Sequence, residues 1–133
     1  MRRSLVLLLL ACALSGCATL PLTCPPGATT RSVAELVFGR NIGNRLGVSE
    51  ADWRRFLDEE VTPRFPSGFT VVDGRGQYRD QSGRIIREPS KVLTVALSSE
   101  AERERLAAIA DAYRRRFRQE AVLTILRPAC VGL

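Results

Sequence analysis

"VVDGRGQYRD", residues 71–80, is the stretch on which the fold turns. Two glycines, a tyrosine and several charges follow a pair of valines. A phosphate-gripping loop needs such glycines to lead into a helix, so that free amides and the positive end of the helix dipole face the anion. The chain runs instead into "DQSG" (80–83) and then "RII", neither of them helical. The stretch therefore predicts one arm of a long, bent hairpin. Gly74 and Gly76 are expected to supply a bulge or kink, and "DQSG" the turn. The other arm returns through "RIIREPSK", where Pro89 removes one ladder donor, as suits a bulge or an edge.

On either side of the hairpin lie segments of clear period. "SVAELVF" (32–38) alternates as a strand, with Ala34, Leu36 and Phe38 on one face. "GRNIGNRLG" (39–47) has the composition of a loop. "VSEADWRRFLDEEV" (48–61) opens with Ser49 and Asp52 at capping-box spacing, and Val48 is placed to staple onto Trp53. Trp53, Phe56, Leu57 and Val61 then share a helical face, and Pro63 and Pro66 end it. "FTVVD" (69–73) and "KVLTVAL" (91–97) are the second and third strands. A second helix begins at Ser99 and carries the stripe Leu106, Ile109, Ala110, Tyr113, Phe117. "AVLTILR" (121–127) is the fourth strand, expected to stop at Pro128. The order strand, helix, strand, strand, helix, strand predicts an α+β, ferredoxin-like βαββαβ fold. It has a four-stranded antiparallel sheet with both helices on one face. Right-handed crossovers place the first strand beside the fourth and the third beside the second.

The front of the chain is of another kind. "MRRSLVLLLLACALSGCATL" has two arginines, an apolar run and then small residues, the pattern of a secretory signal peptide over 1–16. Its apolar core is roughly ten residues, half the ~20 that span a bilayer as a helix. "LSGC" resembles the lipobox of bacterial lipoproteins, which implies lipidation of Cys17 and a membrane anchor through that lipid. Ala18 is not the aspartate that marks inner-membrane retention in many Gram-negative bacteria. The expected place is the outer membrane, facing the periplasm. Residues 17–31, with three prolines, read as a lipidated tether and 32–133 as one α+β domain.

Loss of Arg2 and Arg3 lowers the net charge from +6 to +4, a mild excess spread over a folded domain. Nucleic acid is not an expected partner in that compartment. "RRRFR" (114–118) reads as a solvated helix face with Phe117 turned inward and Asp111 pairing Arg115. Once Cys12 leaves and Cys17 is lipidated, Cys24 and Cys130 remain in an oxidising compartment. They flank the first and fourth strands, which are expected to be neighbours, and a disulfide between them is predicted.

"LVFGR" (36–40), the run from "VSEADW" to "GQYRD" (48–80) and "REPSKVL" (87–93) resemble a family of small bacterial secreted proteins and lipoproteins, the domain of unknown function 3574 family. The resemblance covers about residues 30–127 and implies no activity.

The topology sorts polar residues by pole. Arg40, Asn41, Arg45, Gln77, Tyr78, Arg87, Glu88, Ser90 and Lys91 gather at the end of the sheet opposite the tether. Arg40, Gln77, Tyr78, Arg87, Glu88, Ser90 and Lys91 form the candidate ligand site. Forked guanidinium groups suit carboxylate or phosphate, which makes a small enzyme acting on an anionic substrate the alternative to a non-catalytic binding or envelope-accessory module. Ser90 and Lys91 are adjacent on a strand and so point to opposite faces unless a bulge intervenes. The chain has no histidine, so histidine triads and histidine–zinc sites are excluded; no metal or cofactor is expected. Core phase assigned to Leu36, Leu93, Leu123 and Ile125 leaves Val37, Val92, Thr94, Ala96, Val122, Thr124 and Leu126 on the open face, together with Glu35. A contiguous apolar patch of that kind predicts a face-to-face homodimer.

Overall fold

The computed structural model describes residues 22–132. The expected signal peptide and the expected lipidation at Cys17 lie outside them. The elements are β1 (Ala28–Gly39), β2 (Asn41–Ile42), β3 (Arg45–Leu46), α1 (Glu50–Phe56), β4 (Thr70–Arg79), β5 (Ile85–Leu97), α2 (Glu100–Phe117) and β6 (Leu123–Gly132). A π-helical turn, Leu57–Val61, continues α1. The chain is α+β, and its main sheet is antiparallel in the order β4–β5–β1–β6. The first predicted strand lies beside the fourth and the second beside the third. β1 begins at Ala28, so Ala28–Arg31 belong to the sheet rather than to the tether.

Alternation sets the core. Ala34, Leu36 and Phe38 on β1 and Leu93, Val95 and Leu97 on β5 are buried against Trp53 and Phe56 of α1 and Leu106, Ile109, Tyr113 and Phe117 of α2. Both helices start at the expected serines. Ser49 and Asp52 complete a reciprocal capping box. Ser99 accepts from the Glu102 amide, but Glu102 reaches back to the Ser98 amide, one residue before the cap. Phe117 is buried as expected, whereas Asp111 pairs with Arg114 rather than Arg115.

The hairpin is straighter than its sequence implies. The ladder from Thr70↔Thr94 to Arg79↔Ile85 keeps one register throughout, with no bulge at Gly74 or Gly76. Pro89 is accommodated because its carbonyl accepts from the Arg40 amide at 3.1 Å. Its missing donor thus falls on the β1 side, just where β1 ends. Pro128 does not stop β6 either. It pairs with Ser32 on an edge strand, where a proline's lost donor can face solvent.

Asp80 organises the turn. Its carboxylate accepts from the amides of Ser82 and Arg84, each at 2.9 Å, and pairs with the Arg84 guanidinium at 3.0 Å. Gly83 adopts φ 82°, the left-handed region. The Ser82 hydroxyl bond, followed by the Arg84 bonds and charge, outweighs desolvation and brings the Asp80 carboxyl down to about 2. A depressed carboxyl contributes stability above its unfolded pKa near ~3.9, and that contribution is lost as pH falls through the folded value. The Ser82 and Arg84 amide shifts in NMR should therefore titrate with a midpoint near 2, and Asp80→Asn should abolish that transition.

The fourth predicted strand needs a correction of phase. β6 pairs Thr124 with Leu36 and Leu126 with Ala34, so Thr124 and Leu126 share the helix side. Leu123 and Ile125 pair with Val37 and Glu35 and lie on the open face, opposite to expectation. "AVLTIL" is apolar in both phases, so alternation alone cannot choose between them.

Candidate functional site

Strand parity divides the seven candidate residues into two groups. Arg40, Lys91, Arg87 and Gln77 fall on the helix side of the sheet. Glu88, Ser90 and Tyr78 fall on the open side. The sheet itself keeps the two groups apart, so they do not line one pocket. Two surface depressions, of about 380 Å³ and 320 Å³, lie elsewhere, one beside the start of α2 and the other between α2 and β6.

On the helix side, Arg40 and Lys91 are buried and already neutralised. Arg40 Nη1 meets Glu50 Oε1 at 2.6 Å, and its Nε and Nη2 both donate to the Val48 carbonyl. Lys91 Nζ meets Glu50 Oε2 at 2.9 Å and Asp73 Oδ1 at 2.5 Å. Glu50, from the first turn of α1, thus bridges both cations over the end of the core. Burial pulls the Lys91 ammonium down, but its bonds to Asp73 and Glu50 prevail and the net displacement is upward. The Lys91 hydrogen bond is the main reason the Glu50 and Asp73 carboxyls both lie below their ordinary value. These groups are matched to one another. Arg87 pairs with Gln77 across the exposed hairpin beyond them.

The open side is arranged in rows across the strands. Val72, Val92, Val37 and Leu123 form one apolar row over all four strands. The next row is Gly74, Ser90 and Gly39; then come Gly76 with Glu88, and Tyr78 with Ile86. The glycines leave a trough between the valine row and the tyrosine. A Cβ on Gly39 would sit 2.7 Å from both Glu88 carboxylate oxygens, and one on Gly74 would sit 2.8 Å from the Ser90 hydroxyl. Close approach of those side chains, rather than a bulge, is what these two positions require.

Glu88 is held in that trough. Its Oε2 accepts from the Asn41 amide at 3.2 Å. Asn41 is fixed in turn by Gln119, whose Nε2 donates to its carbonyl at 2.7 Å. The Gly39 carbonyl beneath accepts from the Tyr113 hydroxyl at 2.8 Å. Glu88 is half-buried, and among the described residues no lysine or arginine lies within ion-pair distance of it. Tyr78, half-exposed, has its phenol pushed up, first by desolvation and then by the Glu88 charge. Gly39, Asn41 and Gly74 lie outside the predicted site. For Gly74 the signal available is "GRG" (74–76), two glycines on one strand face two residues apart, which leaves a bare strip; no local pattern marks Gly39 or Asn41.

An antiparallel α+β sheet with one face under two helices and the other carrying a pinned carboxylate defines a small open-faced domain. The chain belongs to the family described as "Protein of unknown function (DUF3574)", whose model matches residues 33–133. No curated protein matches it. Solved structures that share its fold include two of a phage enzyme. One is a phage SAM lyase in complex with S-methyl-5'-thioadenosine, at TM-score 0.59 and 19% identity. The other is a phage SAM lyase in the apo state, at 0.58 and 18%. Each match covers 86% of this chain and 97% of the other.

Proposed function

We propose that this chain is a lipid-anchored envelope protein whose ferredoxin-like domain is a non-catalytic module binding a small organic cation on the open face of its sheet. The anchor rests on the signal pattern and the "LSGC" box. The binding reading rests on one observation: Glu88 is pinned and half-buried, with no lysine or arginine within ion-pair distance of it among the described residues. A carboxylate held in a partly desolvated place attracts a positive group more strongly than one free in water. The Tyr78 ring, on the same face two positions along from Gly76, adds a surface on which a cation can lie. The anionic-substrate alternative is weaker, because Arg40 and Lys91 already have carboxylate partners.

A second reading, that of an enzyme, is favoured by the fold likeness to the phage lyases. Their substrate, SAM, is a sulfonium, which is a small organic cation. Titration calorimetry with S-adenosylmethionine and neutral S-methyl-5'-thioadenosine tests the charge preference. The cation should bind more tightly, and Glu88→Gln should weaken it by about tenfold or more, the scale of a lost charge-assisted contact. The neutral compound should be little affected. Equal binding of the cation by wild type and Glu88→Gln would remove Glu88 from the site. Release of S-methyl-5'-thioadenosine on incubation, seen by mass spectrometry, would favour the enzyme reading.

A further inference from the structure

We infer that a second copy of this chain packs on the open face and roofs the Glu88 trough; the ligand part of this rests on the reading above. The valine row spans all four strands, and its outer members are the most open, Val72 at 53% and Leu123 at 59% exposure. Ile125, next to Leu123 on that face, is also exposed. Such a continuous apolar face marks an interface.

The chain's own amino end is poorly placed to cover it. Cys24 is bridged to Cys130, and the Thr30 hydroxyl donates to the Leu22 carbonyl at 3.4 Å. Thr30 and Cys130 share the parity of Ala34, which is the helix side. From a lipidated Cys17 to Leu22 the chain spans at most about 18 Å. From Thr30 to Val37 along β1 is already about 23 Å, before any passage around the sheet edge. A stub beginning at Cys17 would have to run nearly fully extended, and around the sheet edge, to approach the valine row.

A second copy suits the face in charge and in size. The ion pair in the middle of it, Arg127 Nη2 to Glu35 Oε1 at 2.9 Å, is neutral as a unit. An isologous contact therefore brings no unpaired charge from that pair onto the valine row. Four strands about 4.8 Å apart, with the hairpin extending beyond them, present about 600 Å² per copy in projection. Two copies thus bury about 1,200 Å², the lower edge of specific interfaces. The trough has a glycine floor, a valine wall and a tyrosine wall, but no roof. A second sheet about 10 Å above supplies one.

Native mass spectrometry of the full chain released from detergent should give the mass of two copies. Leu123→Asp and Val72→Asp, both at positions more than half exposed, should each give one copy with an unchanged circular dichroism spectrum. In the Leu123→Asp monomer, S-adenosylmethionine should bind about tenfold more weakly than in wild type, because the unroofed carboxylate is back in water. Glu88→Gln should lose binding and remain a dimer. A wild-type mass of one copy, or a mass that both aspartate variants leave unchanged, overturns the interface. A Leu123→Asp monomer that binds as tightly as wild type overturns the roof. A dimer that Leu123→Asp dissociates but that does not bind the probe supports the interface and sinks the cation reading instead.

Discussion

Replacing Cys24 and Cys130 together by serine is expected to lower the stability of the domain by up to about 4–5 kcal/mol on the chain-entropy model. The size reflects the span. The bridge joins residues 106 apart, with Cα atoms 5.4 Å apart, and so closes nearly the whole domain into one loop. In the unfolded chain that closure removes much conformational freedom, whereas in the folded one it costs little. Thr30 and Cys130 already face each other in the β1–β6 ladder, so the sheet brings the second sulfur to its place without the bond. For a domain of this size the melting temperature should fall on the order of 15–20 °C. The measurement is thermal unfolding of the oxidised protein against the double serine variant, with reductant-treated wild type as a second arm. A fall of less than about 5 °C in both arms would mean that the unfolded state is restrained by something else.

That bridge is legible in the sequence because it depends only on strand order, and strand order comes from the alternation of elements. The core of β1 and β5 is legible for a related reason. "VAELVF" and "KVLTVAL" carry their large residues in one phase beside smaller or polar ones in the other, and the buried set Ala34, Leu36, Phe38, Leu93, Val95 and Leu97 is the expected one. "AVLTILR" carries apolar residues in both phases, and its register is decided by pairing with β1, which no local pattern contains. Pro89 and Pro128 look like breaks because a proline removes a donor. Each falls where that donor is not needed, at the end of β1 and on the edge strand.

The polar residues of the hairpin show the same limit from the side of the site. Gln77 and Tyr78, Arg87 and Glu88, Ser90 and Lys91 are three adjacent pairs, and an unbroken ladder sends the members of each to opposite faces. A bulge at Gly74 or Gly76 would have brought some of them together. Gly74 serves instead as bare ground under the Ser90 hydroxyl, as Gly39 does under the Glu88 carboxylate. Whether a glycine in a strand marks a kink or a close approach is settled by what lies across from it, and at Gly74 that is the Ser90 side chain.

The residue that couples the core to this face is Phe38, and Phe38→Ala is expected to cost about 3–5 kcal/mol, as for other buried phenylalanines cut back to a methyl. Phe38 is wholly buried on β1. Its ring centroid lies 4.7 Å from that of Tyr113, 5.2 Å from Trp53 and 6.0 Å from Phe56, so one truncation removes the centre of four packed aromatic rings. Tyr113 is the ring whose hydroxyl donates to the Gly39 carbonyl, and Gly39 is the position over which Glu88 lies. Loosening Tyr113 should therefore loosen Glu88, and Phe38→Ala should weaken cation binding without touching the trough. The control is one residue away. Val37→Ala, on the open face, should change stability by about 1 kcal/mol or less. Urea unfolding followed by fluorescence of Trp53, the sole tryptophan of the chain, measures both variants. Comparable losses from Val37→Ala and Phe38→Ala in the monomeric Leu123→Asp background would mean that the two faces of β1 are buried alike within one copy, which would leave no open face for a ligand or a second copy.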